Sequence, residues 1–125
     1  MALSFCTAIN CIDGRTQIPV IDYLRSRFKV EYVDIVSEPG PVDILSSHPD
    51  SDRSQSIFDR VELSMRAHNS CGFAIVAHYD CAGNPVEESE QRRQLKVCVR
   101  LLARKYPEIE PIGLWIDNTW SVCEV

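Results

Sequence analysis

Two short stretches of the sequence carry thiol and imidazole groups at the ends of apolar segments. Cys11 closes the apolar run at residues 3–12, His78 closes the run at 73–78, and Cys81 follows three positions later. Two thiolates and one imidazole form a typical catalytic zinc set, which leaves a fourth position for water or substrate. The competing interpretation is two buried thiols and a strand-end histidine. We expect zinc, provided that the fold brings the three side chains together.

The elements that must position these residues follow from the pattern of apolar positions. Strands are predicted at residues 3–12, 29–36, 73–78, 111–117 and 120–125. Helices are predicted at residues 17–28, 55–68 and 87–106. Because strands and helices alternate, we expect an α/β fold, a three-layer domain whose mostly parallel sheet of about four to five strands has helices on both faces. In such sheets ligands bind beyond the carboxyl ends of the strands, where Cys11, His78 and Cys81 are placed.

Local signals add detail to this scheme. Thr16 is expected to cap the first helix, with Pro19 in its first turn. Residues 37–55 are rich in Pro, Gly, Ser and Asp and predict a loop, with a short helical turn near residues 42–45. A loop of this length exceeds the usual connection, so we expect it to be functional or mobile and to cover the site.

Length and composition limit the classes of protein that are possible. The chain has 125 residues, 45% of them hydrophobic and 25% charged, which predicts one globular domain over residues 1–125. The net charge is −5 and the basic residues form no single stripe, so a nucleic-acid partner is not expected. No apolar run is long enough to cross a membrane, and the N-terminus lacks signal-peptide features. We therefore expect a cytoplasmic protein with no membrane partner, whose six cysteines are mostly thiols.

One known family carries these residues in the same order. The segment Cys11-Ile12-Asp13-Gly14-Arg15, followed by His78-Tyr79-Asp80-Cys81, resembles the C-x-D-x-R … H-x-x-C signature of the β-class carbonic anhydrases. The resemblance implies that Cys11, His78 and Cys81 bind zinc and that Asp13 and Arg15 form a catalytic dyad. It also implies CO2 or bicarbonate as the small-molecule substrate. C-x-D-x-R alone is a weak signal, but its order and strand-end placement together with H-x-x-C make the match specific.

The chemistry of such a site follows from elementary principles. A bound zinc ion lowers the pKa of its water to near 7, and the resulting hydroxide can attack the carbon of CO2. Asp13 can accept a hydrogen bond from that water, and Arg15 can keep Asp13 ionised. If Arg15 releases it, Asp13 can instead fill the fourth zinc position and close the site. The resemblance permits both arrangements.

The sequence also departs from the family. Members usually have Gly after the second Cys, whereas here Ala82 comes first and Gly83 follows. The backbone near the metal is therefore expected to be shifted. The N-terminal helical arm of larger members is expected to be absent, and the glutamine of their substrate pocket has no counterpart that we can match. The zinc site thus transfers better than the CO2 pocket.

Several alternatives stay open. A relative could hydrolyse COS or CS2, or the chain could be a non-catalytic zinc-binding domain. Thiol redox chemistry is a weaker idea because no C-x-x-C motif is present. The resemblance and an exposed sheet edge predict a homo-oligomer, in which a terminal strand with Trp120 and Val122 pairs across a two-fold axis.

Other polar and aromatic residues are expected to lie outside the reaction. His48 is interpreted as a solvated loop residue, His68 as a polar residue at a helix end, and Asp80 as a hydrogen-bonding loop residue. Trp115 and Trp120 are expected in the core or in a subunit contact.

Overall fold

The computed structural model describes residues 4–125, in which strands and helices alternate along the chain. The strands are β1 (Phe5–Cys11), β2 (Tyr32–Glu38), β3 (Phe73–His78), β4 (Pro111–Ile116) and β5 (Val122–Glu124). The helices are α1 (Gly14–Phe28), α2 (Pro41–Ser47), α3 (Asp52–His68) and α4 (Glu88–Lys105). The predicted α/β class is confirmed. No helix of residues 4–125 combines the length and the apolar character needed to cross a membrane.

The five strands form one sheet in the order β2-β1-β3-β4-β5. Strands β1 to β4 are parallel, and β5 pairs antiparallel with β4. The chain leaves β1 in one direction to form β2 and later returns to the other side of β1 to form β3. The carboxyl ends of β1 and β3 therefore meet where the strand order reverses, which is the usual position of a ligand site in an open α/β sheet.

Helices cover both faces of the sheet. One face packs against α2, α3 and α4, with Ile9, Ile75 and Trp115 among its buried residues. The other face packs against α1 through Val20 and Leu24. Every residue of β3 and β4 is buried, which explains why both strands read as continuous apolar runs rather than as alternating patterns.

Helix α1 begins earlier than the sequence predicted. Asp13, not Thr16, is the N-cap, and its side chain accepts a hydrogen bond from the backbone N–H of Arg15. Thr16 lies inside the first turn, where its hydroxyl donates to the carbonyl of Asp13 at 2.7 Å. Pro19 consequently falls beyond the first turn. The prediction was wrong because both residues can cap, and the earlier one wins when its carboxylate is held in place.

The segment 37–55 is not the loop that the sequence predicted. Strand β2 continues to Glu38, helix α2 occupies Pro41–Ser47, and helix α3 already begins at Asp52. Ser51 caps α3 by accepting a hydrogen bond from the backbone N–H of Ser54 at 3.2 Å. Pro and Ser favour loops, but both residue types also start helices, and here Pro41 stands at the first position of α2. Only the short helical turn near residues 42–45 was foreseen.

The strand bounds differ by a few residues. β2 starts at Tyr32 instead of at residue 29, because Lys29 ends α1 in a left-handed conformation. Leu3, where the sequence started the first strand, lies outside the described residues. The last strand is confined to Val122–Glu124, since residues 117–121 form a turn.

Candidate metal centre

Three side chains meet at the carboxyl ends of β1 and β3. Cys11 is the last residue of β1, His78 is the last residue of β3, and Cys81 lies in the turn that follows. One ligand atom from each residue lies within 4.8 Å of the other two, and all three residues are buried. The structure therefore brings together the three residues that the sequence singled out.

The distance between the two sulfur atoms fits a tetrahedral zinc ion. The two sulfur atoms of Cys11 and Cys81 lie 3.8 Å apart. Two thiolates bound to one zinc at about 2.3 Å and a tetrahedral angle would be separated by about 3.8 Å. His78 Nδ1 lies 2.7 Å from the carbonyl of Tyr79, which can only accept, so Nδ1 carries the proton.

The other nitrogen of His78 then presents a lone pair. His78 Nε2 is buried and has no hydrogen-bond partner among the described residues. A buried polar atom without a partner is costly, and a metal ion would satisfy it. This atom, together with two adjacent sulfurs, makes the residue set chemically suited to zinc.

The two thiols share one negative charge. The hydrogen bond with Cys81 lowers the pKa of the Cys11 thiol to about 4. The same bond, followed by burial, raises the pKa of Cys81. A thiolate is thus present at neutral pH before any metal arrives, and thiolates are the form that binds zinc.

Asp13 and Arg15 form the predicted pair beside the thiols. Arg15 Nε donates to Asp13 Oδ1 at 3.0 Å, and Arg15 Nη2 donates to Asp13 Oδ2 at 2.7 Å. This two-pronged contact is the strong geometry for a guanidinium and a carboxylate. The hydrogen bond from Arg15 lowers the pKa of Asp13 to about 2, so Asp13 is ionised at neutral pH.

The pair is built on the start of helix α1. Asp13 Oδ1 accepts from the backbone N–H of Arg15 at 2.9 Å as well as from its side chain. The carboxylate therefore caps the helix and receives the guanidinium of the helix's second residue at once. A C-x-D-x-R spacing produces this arrangement because the N-cap bonds the residue two positions later.

Two glutamines brace the ligand strands from behind. Gln17 donates to the carbonyls of Cys11 and Asp13 at 2.8 and 2.9 Å. Gln91 of α4, itself buried, donates to the carbonyl of His78 at 2.8 Å. Neither residue was predicted from the sequence, although each is a polar side chain on the apolar face of a predicted helix.

The Pro39–Gly40 corner closes one side of the site. A Cβ on Gly83 would lie 2.7 Å from the backbone of Pro39 and 2.9 Å from that of Gly40. Gly40 itself has a φ of +58°. This close approach thus requires glycine at position 83, two residues after Cys81. Ala82 stands directly after Cys81 and is among the residues that line the cavity of the site.

A cavity of about 400 Å3 opens beside the cysteines. Its lining consists of Cys11, Ile12, Asp13, Pro39, Ala82 and Gly83. Among residues 4–125, the ionisable groups in this lining are Asp13 and the thiol of Cys11, and the other four lining residues are apolar or small. The segment 37–55 was expected to cover the site. Its contribution to the lining is Pro39, in the corner before α2.

The remaining candidate residues occupy different positions. His48 and His68 are exposed and lie outside the metal-binding group, and His68 pairs with Asp34. Trp115 is buried in the core, as expected. Asp80 accepts hydrogen bonds, as expected for a loop residue, and its partner is Arg15.

Comparison with protein families places the chain. A family described as "Putative carbonic anhydrase" matches residues 1–125, the whole chain. The chain belongs to this family. Membership confirms the resemblance found in the sequence and supports a carbonic anhydrase-like function. No curated protein matched the chain in the corresponding comparison.

Proposed function

We propose that this chain is a zinc-dependent lyase that hydrates CO2 reversibly to bicarbonate, with Cys11, His78 and Cys81 as ligands and Asp13 and Arg15 as the catalytic pair. The single observation that carries the proposal is the buried, unpartnered Nε2 of His78 beside two sulfurs 3.8 Å apart. A zinc ion held there supplies hydroxide at neutral pH by lowering the pKa of water to near 7. Family membership adds independent support.

Asp13 orients the attacking water. Its carboxylate lines the same cavity as Cys11 and is ionised because Arg15 lowers its pKa. An ionised carboxylate only accepts hydrogen bonds, so a water molecule that donates to Asp13 turns its lone pair away from the carboxylate and toward the cavity. Arg15 takes no part in the bond-making step and holds Asp13 in its acceptor form.

The cavity suits a small and weakly polar substrate. Ile12, Pro39 and Ala82 present apolar surface to it, and its volume of about 400 Å3 holds the substrate and several water molecules. Gly83 packs closely against Pro39, which leaves no room for a side chain at position 83. CO2 has no net charge and no dipole moment, and it matches such a lining.

One preparation tests the proposal. Metal content by mass spectrometry should give about one zinc per chain, and stopped-flow measurement should show CO2 hydration above the buffer rate. Bound zinc without hydration would remove the lyase function and leave a zinc-binding domain. Hydrolysis of COS or CS2 without CO2 hydration would replace CO2 as the assigned substrate.

A homo-oligomer is part of the same proposal. Strand β2 is an edge strand that pairs with β1 on one side, and Tyr32 at its start is exposed. Unpaired strand edges are often covered by a second copy. Light scattering at micromolar concentration should give twice the chain mass or a multiple of it, and a monomer there would contradict the proposal. The cytoplasmic location stays a prediction from the sequence.

A further inference from the structure

Arg15 is held by more than its partner Asp13. Its Nη1 donates to the Asp80 carboxylate at 3.3 Å, and its Nη2 donates to the Asp80 carbonyl at 3.1 Å. The guanidinium also lies over the ring of Trp120, with 4.4 Å between its central carbon and the ring centroid. The guanidinium therefore contacts three separate segments: the start of α1, the ligand turn and the turn before β5.

Two of these contacts come from residues with an unusual backbone conformation. Among residues 4–125, four non-glycine residues have a positive φ. Lys29 and Asn69 do so as the C-caps of α1 and α3, where this conformation is common. The other two are Asp80, at +57°, and Trp120, at +62°. Both remaining cases contact Arg15.

A left-handed tryptophan calls for an explanation. The conformation is unfavourable for any residue with a Cβ and least suited to a bulky one, so glycine or asparagine would normally be found there. Hydrogen bonds hold the turn that contains Trp120. Asp117 accepts hydrogen bonds from the backbone N–H groups of Thr119 and Ser121, and its carbonyl accepts from the N–H of Trp120. Such local strain tends to persist where it serves a site.

We propose that Trp120, together with Asp80, is a positioning residue that fixes the guanidinium of Arg15 and so keeps Asp13 turned toward Arg15 and away from the metal. The inference rests on the proposed function, in which a released Asp13 can act as a fourth ligand. Trp120 holds one face of the guanidinium, and Asp80 holds its outer edge. Neither residue touches the reacting atoms.

Arg15 and the metal ion compete for the carboxylate of Asp13. Asp13 can pair with Arg15 or bind the metal. A guanidinium that is already fixed loses little conformational entropy when it pairs with Asp13. Without the ring beneath it, Arg15 samples other rotamers and the pair weakens. Asp13 then spends more time as a ligand. Two results follow in opposite directions: turnover falls, while zinc is retained longer.

Matched substitutions of Trp120 distinguish the effect of its aromatic ring from the effects of side-chain volume and backbone strain. Trp120→Phe and Trp120→Leu carry the same left-handed backbone and similar apolar volume, but only Phe keeps a π face. Asn118→Ala serves as the control in the same turn, since Asn118 is exposed. Trp120→Met is a second ring-free variant in case the leucine variant folds poorly. Circular dichroism confirms the fold of each variant.

Two measurements are made on each zinc-loaded variant. In stopped-flow hydration we expect Trp120→Leu to lower kcat about threefold to tenfold with KM unchanged, and Trp120→Phe to stay within about twofold of the unsubstituted protein. In zinc transfer to an excess of chelator, Trp120→Leu should release zinc several-fold more slowly. The double variant Trp120→Leu/Asp13→Asn should release zinc at the rate of Asp13→Asn alone. Arg15→Leu should also release zinc slowly, and the addition of Trp120→Leu to Arg15→Leu should cause no further change.

The outcomes decide the inference separately from the proposed function. Equal zinc release in the Phe and Leu variants, or faster release in the Leu variant, would overturn the positioning role. If the unsubstituted protein hydrates no CO2, the lyase function fails. The zinc-release comparison still tests Trp120 in that case, because it needs no turnover.

Discussion

Cys11 Sγ and Cys81 Sγ lie 3.8 Å apart, although 70 positions separate the two residues in the sequence. The distance agrees with the separation of two thiolates on one tetrahedral zinc ion, about 3.8 Å. The pair is brought together because β1 and β3 are neighbours in the sheet and end at the same edge. The first prediction concerns this pair.

Removal of Cys81 should remove the metal. We expect Cys81→Ala to reduce zinc from about one per chain to less than about one tenth after dialysis, because one imidazole and one thiolate bind zinc much more weakly than the full set. Inductively coupled plasma mass spectrometry measures the content. Cys71→Ala is the matched control, since Cys71 is exposed and lies outside the cluster. Full zinc in Cys81→Ala would rule out this ligand assignment.

Removal of the Asp13 charge should slow turnover without loss of zinc. Asn is as good an N-cap as Asp, so Asp13→Asn keeps the start of α1 but can donate where Asp13 only accepts. We expect kcat for CO2 hydration to fall about 100-fold, with zinc content unchanged. Asp22→Asn, an exposed carboxylate on the same helix, is the control. A variant with half of the original kcat would show that Asp13 does not orient the water.

An alanine should destabilise the fold at Gly83 but not at Gly14. A methyl group on Gly83 would meet the backbone of Pro39 and Gly40 at 2.7 and 2.9 Å. Backbone atoms cannot turn aside, so Gly83→Ala should lower the free energy of unfolding by about 1–3 kcal/mol. Gly14→Ala is the control, because nothing lies within 4 Å of its Cβ position.

Urea unfolding of the three proteins measures the difference. Gly14→Ala should be neutral or slightly stabilising, since it lies in helix α1 at a φ that alanine tolerates. Equal stability of Gly83→Ala and the unsubstituted protein would mean that the two segments move apart freely and that the wall of the cavity is not rigid.

Alkylation of the zinc-free protein should reveal the shifted pKa of Cys11. The hydrogen bond with Cys81 lowers the Cys11 pKa to about 4, so the folded thiolate persists as the pH falls from 8 to 6. We expect the iodoacetamide rate at Cys11, followed by peptide mass spectrometry, to change little over this range. In the unfolded chain an ordinary thiol has a pKa of about 8.5, and its rate should fall about tenfold for each pH unit.

The same experiment contains its own internal reference. Cys6 and Cys98 are buried, and burial raises the pKa of each to about 12, so neither should react in the folded protein. Zinc should protect Cys11. A Cys11 rate that falls as steeply in the folded as in the unfolded protein would contradict the shared charge between the two thiols.

The metal-binding residues were predictable because local signals mark them. Cys11 and His78 each end an apolar run, and in a parallel sheet such ends share an edge, so spacing along the chain matters little. The contact between Asp13 and Arg15 was expected from the family resemblance, and their spacing produces it because Asp13 is the N-cap and Arg15 the second residue of α1. The sequence therefore sufficed for the class of fold and for the cluster.

The residues around the cluster were not predictable in the same way. Arg15 meets Asp80 across 65 positions and Trp120 across even more, and such contacts depend on how turns are oriented rather than on periodicity. Helix α2 was predicted only as a short turn near residues 42–45, because Pro41 and two serines are typical of loops. The tight approach of Gly83 to Pro39 becomes visible only when both turns are placed.

The two ligand strands have a consequence for the unfolding of the whole chain. A metal ion bound to Cys11 and Cys81 acts as a removable cross-link that closes a ring of about 70 residues. That ring contains α1, β2, α2, α3 and β3, which make up more than half of the elements. Withdrawal of the ion would therefore raise the conformational entropy of the unfolded chain, so a chelator would lower the free energy of unfolding.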